Sequence, residues 1–527
     1  MARPPKEITR VGPPSPWLAA PIVGIAVGVA VMGAGIRSPM IAMGLVIGLF
    51  GALLCLRYPE VGMIALTFLI PLERMQRFTD DSSTFTISIM RLVAMGALAS
   101  LALHHIFARK SFRIEPVIFP YLLYTVVIVG GFFWSTELDS LKRSLGNIAA
   151  NILFFFLYTN FLKGKRVMHL IIATWLTASS LSCLYSIIDW HFGSGRTGGV
   201  NTEIDPGMGM QSVENRWSTV WEDRAEYETL GGKSARRSMG PTSHAAVYGI
   251  NLTMAIPFYF YFLSRARKPT LQALLWVCIG MLYYNILLTN TRAVFLIAGI
   301  AGAFCLLYGL FKPKTYHVLA ALLALTIAIP NIPEDIYNRV LDVSNYSTEK
   351  GAAIRIRLEY YKAAGDAIAQ YWLHGSGAGD DTVIPRLLNM KTAPRTTVHN
   401  IYLQTLIEAG IFGFFFFFFF VAAVYYLAVR AGRRWRTLPN STDQVNLTKA
   451  IQASMLCVLI FGLQVDVFLF PLKGWWLLVC LAVVLDREAY TLLRDKAMAT
   501  LTAKAQSQSL NTPTVDASTS QNAPANV

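Results

Sequence analysis

The chain has 527 residues, of which 54% are hydrophobic and only 15% charged, against roughly a quarter charged in soluble domains. That balance excludes an ordinary soluble fold. The formal net charge of +15 comes as short basic clusters between apolar segments, not as the continuous basic face that nucleic acid requires.

Apolar stretches of about 17 to 25 residues, enough to cross about 30 Å of hydrocarbon, recur along nearly the whole sequence. They predict an all-α polytopic integral membrane protein with about 12–14 transmembrane helices and two long extracytoplasmic loops, the second partly helical. Residues 1–16, basic at Arg3, Lys6 and Arg10, form a cytoplasmic N-terminus. The first apolar segment, 17–35, lacks a small-residue cleavage site and reads as a retained signal-anchor. Spans at 39–56, 58–72, 86–106, 115–134, 144–162 and 167–189 complete an N-terminal bundle over 17–189. The third is short and contains Pro71, so the pair around Arg57 either crosses or turns back as a hairpin. After the loop 190–242, central spans fall at 243–263, 271–289, 293–311 and 316–330, within 243–330. A second loop, 331–401, leads to spans 402–429, 450–465 and 470–486, the C-terminal helices of 402–486. Residues 487–527 are a cytoplasmic tail, expected to be disordered from about 497, where Ser, Thr, Ala, Gln and Asn dominate. All six cysteines (Cys55, Cys183, Cys278, Cys305, Cys457, Cys480) lie in apolar segments without metal-ligand spacing and read as core-filling thiols.

Placing the N-terminus in the cytoplasm makes every inward loop short and basic: Arg109/Lys110/Arg113, Lys163/Lys165/Arg166, Arg265/Arg267/Lys268, Lys312/Lys314 and Arg430/Arg433/Arg434/Arg436. This is what the positive-inside rule requires. Both termini are then cytoplasmic, and the two long loops, of mixed charge, lie outside.

With sidedness set, the notable polar residues map to the outer boundary. Arg91 sits several residues into the fourth span, Arg237 in RRSMGPTSH before the eighth, and Arg292 in LLTNTRAVF between the ninth and tenth. Arg355 and Arg357 open a helix in the second loop, and His399 closes that loop. Arginine there runs against the inward bias; its planar fork pairs with phosphate oxygens in two-point geometry, and a cation inside a span is costly unless functional. The plainer alternative is that Arg91 and Arg292 snorkel to lipid headgroups. In IRIRLEYYKAAGDAIAQYWL, apolar residues at 354, 358, 361, 365, 368 and 372 predict a helix whose apolar face lies against the membrane surface or the bundle. HGSGAGDD follows as a glycine-rich turn, lacking the spacing and lysine of a nucleotide P-loop.

The stretch TTVHNIYLQTLIEAGIFGFFFFFFF, 396–420, couples this polar chemistry to an oily helix. Thr397 as N-cap puts His399 in the first helical turn, and Asn400, Gln404 and Glu408, recurring every four residues, form one polar stripe. The partial positive charge of a helix N-terminus and neighbouring arginines keep an imidazole neutral, the state a general base needs. A plainer role is an interfacial histidine bonded to its own loop. Gly410 and Gly413 permit a bend or close packing, and Phe414 to Phe420 read as lipid-facing anchorage.

VHNIYLQTLIEAGIFG resembles the His-Asn…Leu-Gln…Glu-x-Gly-x-x-Gly segment of the O-antigen ligase and O-antigen polymerase superfamily, bacterial enzymes that move glycans from a polyprenyl-diphosphate carrier. RSMGPTSHAAVYG, TNTRAVF and IRLEYYKAA with WLHGSGAG resemble further motifs of that family, in family order, over roughly residues 230–430. The N-terminal spans resemble it in hydropathy and in an Ile-Ser-Ile-x-Arg start to span four. Where many members have Pro-Asn, this chain has Ser243-His244, and no role carries over to those two positions.

The resemblance implies a glycosyltransferase of the bacterial inner membrane with an extracytoplasmic active site, no cofactor and no metal. Its partners would be a polyprenyl-diphosphate-linked (undecaprenyl) glycan donor, membrane lipids, and an acceptor on glycan, lipid A core or protein. Arg237 and Arg292 would clamp the diphosphate, assisted by Arg357 and Arg91. His399 would deprotonate the acceptor for an inverting displacement, supported by Asn400, Gln404 and Glu408. Within the superfamily the alternatives are a polymerase or a protein O-oligosaccharyltransferase. Outside it stand a metal-dependent glycosyltransferase using Glu73, Asp80, Asp81, Asp380 or Asp381, and a lipid-linked glycan flippase, which would favour internal repeats and polar groups at mid-membrane.

Overall fold

The computed structural model describes residues 58–72, 89–108, 112–192, 225–230, 233–242, 244–315, 352–389, 397–464 and 472–510, with Leu54 and Thr326 besides. The spans expected at 17–35, 39–56 and 316–330 otherwise lie outside them, as do Glu73, Asp80, Asp81 and Cys55.

In chain order the helices are α1 (Pro59–Leu69), α2 (Ile89–Ala108), α3 (Phe119–Gly130), α4 (Leu138–Phe161), α5 (Lys165–His191), α6 (Ala245–Arg265), α7 (Pro269–Leu288), α8 (Arg292–Leu307), α9 (Ala352–Tyr371), α10 (Val383–Leu387), α11 (Ile401–Arg436), α12 (Thr442–Phe461) and α13 (Lys473–Leu510). Prolines open α1 and α7 at the position where a missing N–H costs nothing. Among the described residues, six stretches are long and apolar enough to cross a membrane: Pro116–Phe133, α5, α6, α7, α11 and α12. Shorter apolar helices cover Glu60–Leu72, Met90–Leu103 and Arg292–Leu307. The all-α membrane architecture stands.

The loop 190–242 adds one feature not read from the sequence, an antiparallel hairpin of β1 (Ala225–Leu230) and β2 (Lys233–Ser238) in register Ala225↔Ser238 to Leu230↔Lys233.

Helix α6 is the hub, buried along almost its whole length and packed on α5, α7, α8 and α12. Helix α11 is the second axis, packed on α3, α12 and α13. The polyphenylalanine run is not uniformly lipid-facing. Phe415 and Phe419 are exposed, but Phe417 and Phe420 are buried, packing on Tyr124 and on Tyr121 and Trp476. A helix turns 100° per residue, so seven identical side chains must point both ways. Helix α13 also departs from expectation, remaining helical through Leu510 where disorder is read from about 497. Its exposed stretch is rich in Ala, Leu, Lys and Arg, the strongest helix formers.

Polar contacts define two opposite rims. At one, Lys165 and Arg265 both pair with Asp443, Lys449 donates to the Tyr308 carbonyl at 2.8 Å, and Arg487 bridges Glu115 and the Leu162 carbonyl. Arg430 and Arg434 both grip Asp486. Among the described residues, Lys165, Arg265, Arg430 and Arg434 of the basic loops thus pair with carboxylates here. At the other rim the Ile401 amide donates to the Gly462 carbonyl at 2.9 Å, Ser186 bonds Ser238 at 2.7 Å, and the first turns of α6 and α8 meet where Gly249 abuts Val294.

Candidate active site at the rim opposite the basic loops

Helix α11 is two helices in line. Gly410 has φ 62° and ψ −171°, breaking the hydrogen-bond ladder, and the glycine-rich turn after α9 fills the break. The amides of Ser376 and Gly377 donate to the carbonyls of Ile407 and Glu408 at 2.8 and 3.0 Å, and the Ile411 amide donates to the Trp372 carbonyl at 2.7 Å. Backbone groups that the break would orphan are thereby satisfied. Only glycine fits this contact. A Cβ on Gly375 would lie 2.1 Å from the Glu408 oxygen, and one on Gly410 would lie 2.4 Å from the Leu373 oxygen. HGSGAGDD is therefore a structural splice between the second loop and the membrane helix.

Above the break, the short helical segment carries the polar stripe. Asn400, not Thr397, is the N-cap; its Oδ1 accepts from the amides of Tyr402 and Leu403 at 3.0 and 3.2 Å. His399 consequently stands just before the helix, in the left-handed region at φ 55°. Asn caps at least as well as Thr, and histidine is among the residues that tolerate a positive φ. Gln404, 2% exposed, and Glu408, 3% exposed, form a relay beneath. The Gln404 Nε2 donates to Glu408 at 2.7 Å, and its Oε1 accepts from the Val398 amide at 3.2 Å. Because Glu408 takes the amide nitrogen, Gln404 must turn its oxygen to the backbone next to His399. The stripe holds the loop.

Helix α9 buries Tyr360, Ala363, Ala364 and Ala367 in a small core with Val383, Ile384, Val398 and Ile407. Of the apolar face read from the sequence, Tyr361 and Ile368 pack against this core while Leu358 and Trp372 are exposed. Small alanines let α9 approach α11 closely, a gain that a count of large apolar residues misses. The result places exposed Arg357 beside His399. Burial first, then the charges of Arg357 and His244, push the His399 imidazole down from its usual value to about 4. The ring is neutral across the physiological range, and the Tyr360 ring lies 6.3 Å away.

Arg237, at the end of β2, donates to the Thr289 carbonyl at 3.2 Å and to Thr291 Oγ1 at 2.8 Å. Thr291 is the residue from which α8 starts, so Arg237 and Arg292 are brought to one turn. His244, assigned no role in the sequence reading, caps α6; its Nδ1 accepts from the Ala246 amide at 3.0 Å. The only sequence signal for it was its place immediately before an apolar span. Arg91 lies half-buried in the first turn of α2, which packs chiefly on α1 and α4. Asp380 is engaged internally, accepting from Thr382 at 2.6 Å and from Arg386 at 3.1 Å.

Residues 273–418, from within α7 to the phenylalanine run, match the family model described as O-antigen ligase. The chain carries an O-antigen ligase domain. The match holds Arg292, Arg357, the glycine splice, His399 and the polar stripe, while Arg237 and His244 precede it. It puts the chain among membrane glycosyltransferases of the ligase and polymerase kind. No curated protein matches the sequence.

Proposed function

We propose that this protein transfers a glycan from a polyprenyl diphosphate carrier to an acceptor hydroxyl at the outer face of the inner membrane, as an O-antigen ligase does. The observation that carries the reading is His399, a neutral imidazole fixed by the Asn400–Gln404–Glu408 stripe and flanked by Arg357. In the reaction a ring nitrogen of His399 takes the acceptor proton as the acceptor oxygen attacks the anomeric carbon. The bond from that carbon to the diphosphate oxygen breaks, and its electron pair leaves with the phosphate. Inversion follows from the single displacement. Preorganised cations stabilise such developing charge best where water is scarce; Arg237 and Arg292 bind the diphosphate, with Arg357 and Arg91 assisting.

The test is glycan transfer by purified protein in liposomes, wild type against His399→Asn. Asparagine keeps the left-handed backbone and removes the base, so transfer should fall by about 10²–10⁴-fold, the usual worth of a general base. Wild-type transfer by the variant eliminates this role. Movement of the lipid-linked donor across the bilayer without transfer would favour a flippase instead.

A further inference from the structure

Asn290 sits at the centre of the turn that Arg237 grips, between the Thr289 carbonyl and Thr291 Oγ1. It is 1% exposed, and among the described residues neither its Oδ1 nor its Nδ2 has a hydrogen-bond partner. Its backbone is left-handed at φ 49°, a conformation asparagine tolerates better than most residues. The turn explains the residue type but not the empty amide, because buried polar groups are nearly always satisfied.

We infer that Asn290 reads the sugar attached to the donor's diphosphate. This rests on the function proposed above. The amide offers one acceptor and two donors. A phosphate diester only accepts, so it satisfies Nδ2 and leaves Oδ1 stranded. A group that both donates and accepts, a sugar hydroxyl or an acetamido substituent, satisfies both atoms. The position agrees with the chemistry. Asn290 lies between Thr289 and Thr291, both gripped by Arg237, with Arg292 next in the chain, so a group beside a diphosphate bound there is the sugar bonded to it. A site built to bond such a group discriminates strongly against analogues that lack it, since its own buried atoms are then left unpaired. Asn290 is thus a specificity residue, distinct from the charges that hold the carrier.

Binding to protein in nanodiscs tests this with four probes: polyprenyl diphosphate alone, and the same lipid bearing an N-acetylhexosamine, a hexose or a 2-deoxyhexose. Wild type should bind at least one sugar-bearing lipid ~10-fold more tightly than the bare lipid, about the worth of one well-made hydrogen bond in a desolvated site. Asn290→Gly, which keeps the left-handed turn, should lose that increment while binding the bare lipid as before. Which sugar loses its advantage then separates acetamido from hydroxyl recognition. An undiminished increment in Asn290→Gly overturns the inference and assigns the amide to an internal water. A lowered melting temperature with the increment intact means a structural role only and overturns it equally. If wild type binds none of the four lipids, the broader transferase reading falls and this inference falls with it.

Discussion

His399 works at the residue scale because three separate demands meet in it. Its positive φ sets it just before the helix that follows, the Gln404–Glu408 relay pins the backbone on its N-terminal side, and burial with Arg357 and His244 keeps it uncharged. The pH dependence follows. Below its folded value of about 4 the ring is protonated and accepts nothing, so kcat/KM should hold from neutrality down to about pH 4 and fall only there. A bound diphosphate offsets the arginine charge and raises the imidazole, so the acid limb of kcat should lie at higher pH than that of kcat/KM. Arg357→Gln should move the kcat/KM limb upward; a limb near pH 6.5 that ignores this change would assign the titration to another group. The relay makes its own prediction. Glu408→Ala leaves the buried Gln404 amide nitrogen without its acceptor, at a cost of about 1–3 kcal/mol, and loosens the hold of its oxygen on the Val398 amide. Glu408→Gln retains an acceptor oxygen. Thermal melts and transfer rates should rank wild type, then Gln, then Ala; an Ala variant equal to Gln in both would remove the relay from the argument.

At the scale of elements, the break in α11 joins the second loop to the membrane helix, and glycine is its chemical signature. Gly375→Ala and Gly410→Ala each drive a methyl into backbone carbonyls at positions where φ is positive, a penalty of about 1–3 kcal/mol apiece. Because both strain one joint, the double variant should cost less than the sum of the singles, which melting in detergent measures; full additivity would mean that the splice is not a unit. Much of this joint was legible in the sequence. Gly410 stood out as a bend, and HGSGAGDD as a turn, because glycine has few other reasons to cluster there. The caps and faces were less legible. Thr397 and Asn400 are both good caps, and only the tertiary contact between the Ile401 amide and Gly462 selects the later start. In α9 the periodicity of large apolar residues marked Tyr361 and Ile368, which border the contact, while its centre is made by alanines and Tyr360. His244 was passed over because its neighbours in space, Arg357 and His399, lie more than a hundred residues away in sequence.

For the whole molecule, the positive-inside pattern and the packing make the same division independently. Charge bias in the sequence grouped the basic loops with no knowledge of contacts. In the structure Lys165, Arg265 and Asp443 meet at one rim, and His399, Arg357 and the Arg237 turn lie at the other. Most spans could be read because a helix crossing lipid must satisfy its own backbone and needs only length and apolarity. The hairpin in the first long loop could not, since two short polar strands have no such requirement. The division forces a labelling result. Leu373 is exposed next to the glycine splice, and Arg267 is exposed after α6, among the basic loops. In a background with the native thiols replaced, Leu373→Cys should react with an impermeant maleimide in right-side-out vesicles, and Arg267→Cys only after permeabilisation. The proposed reaction uses its lipid-linked donor on the outer leaflet, so it requires the first residue outside. Reversed labelling would put the imidazole and its arginines in the cytosol, beyond reach of a donor that has been carried across, and the proposed reaction would have no substrate there.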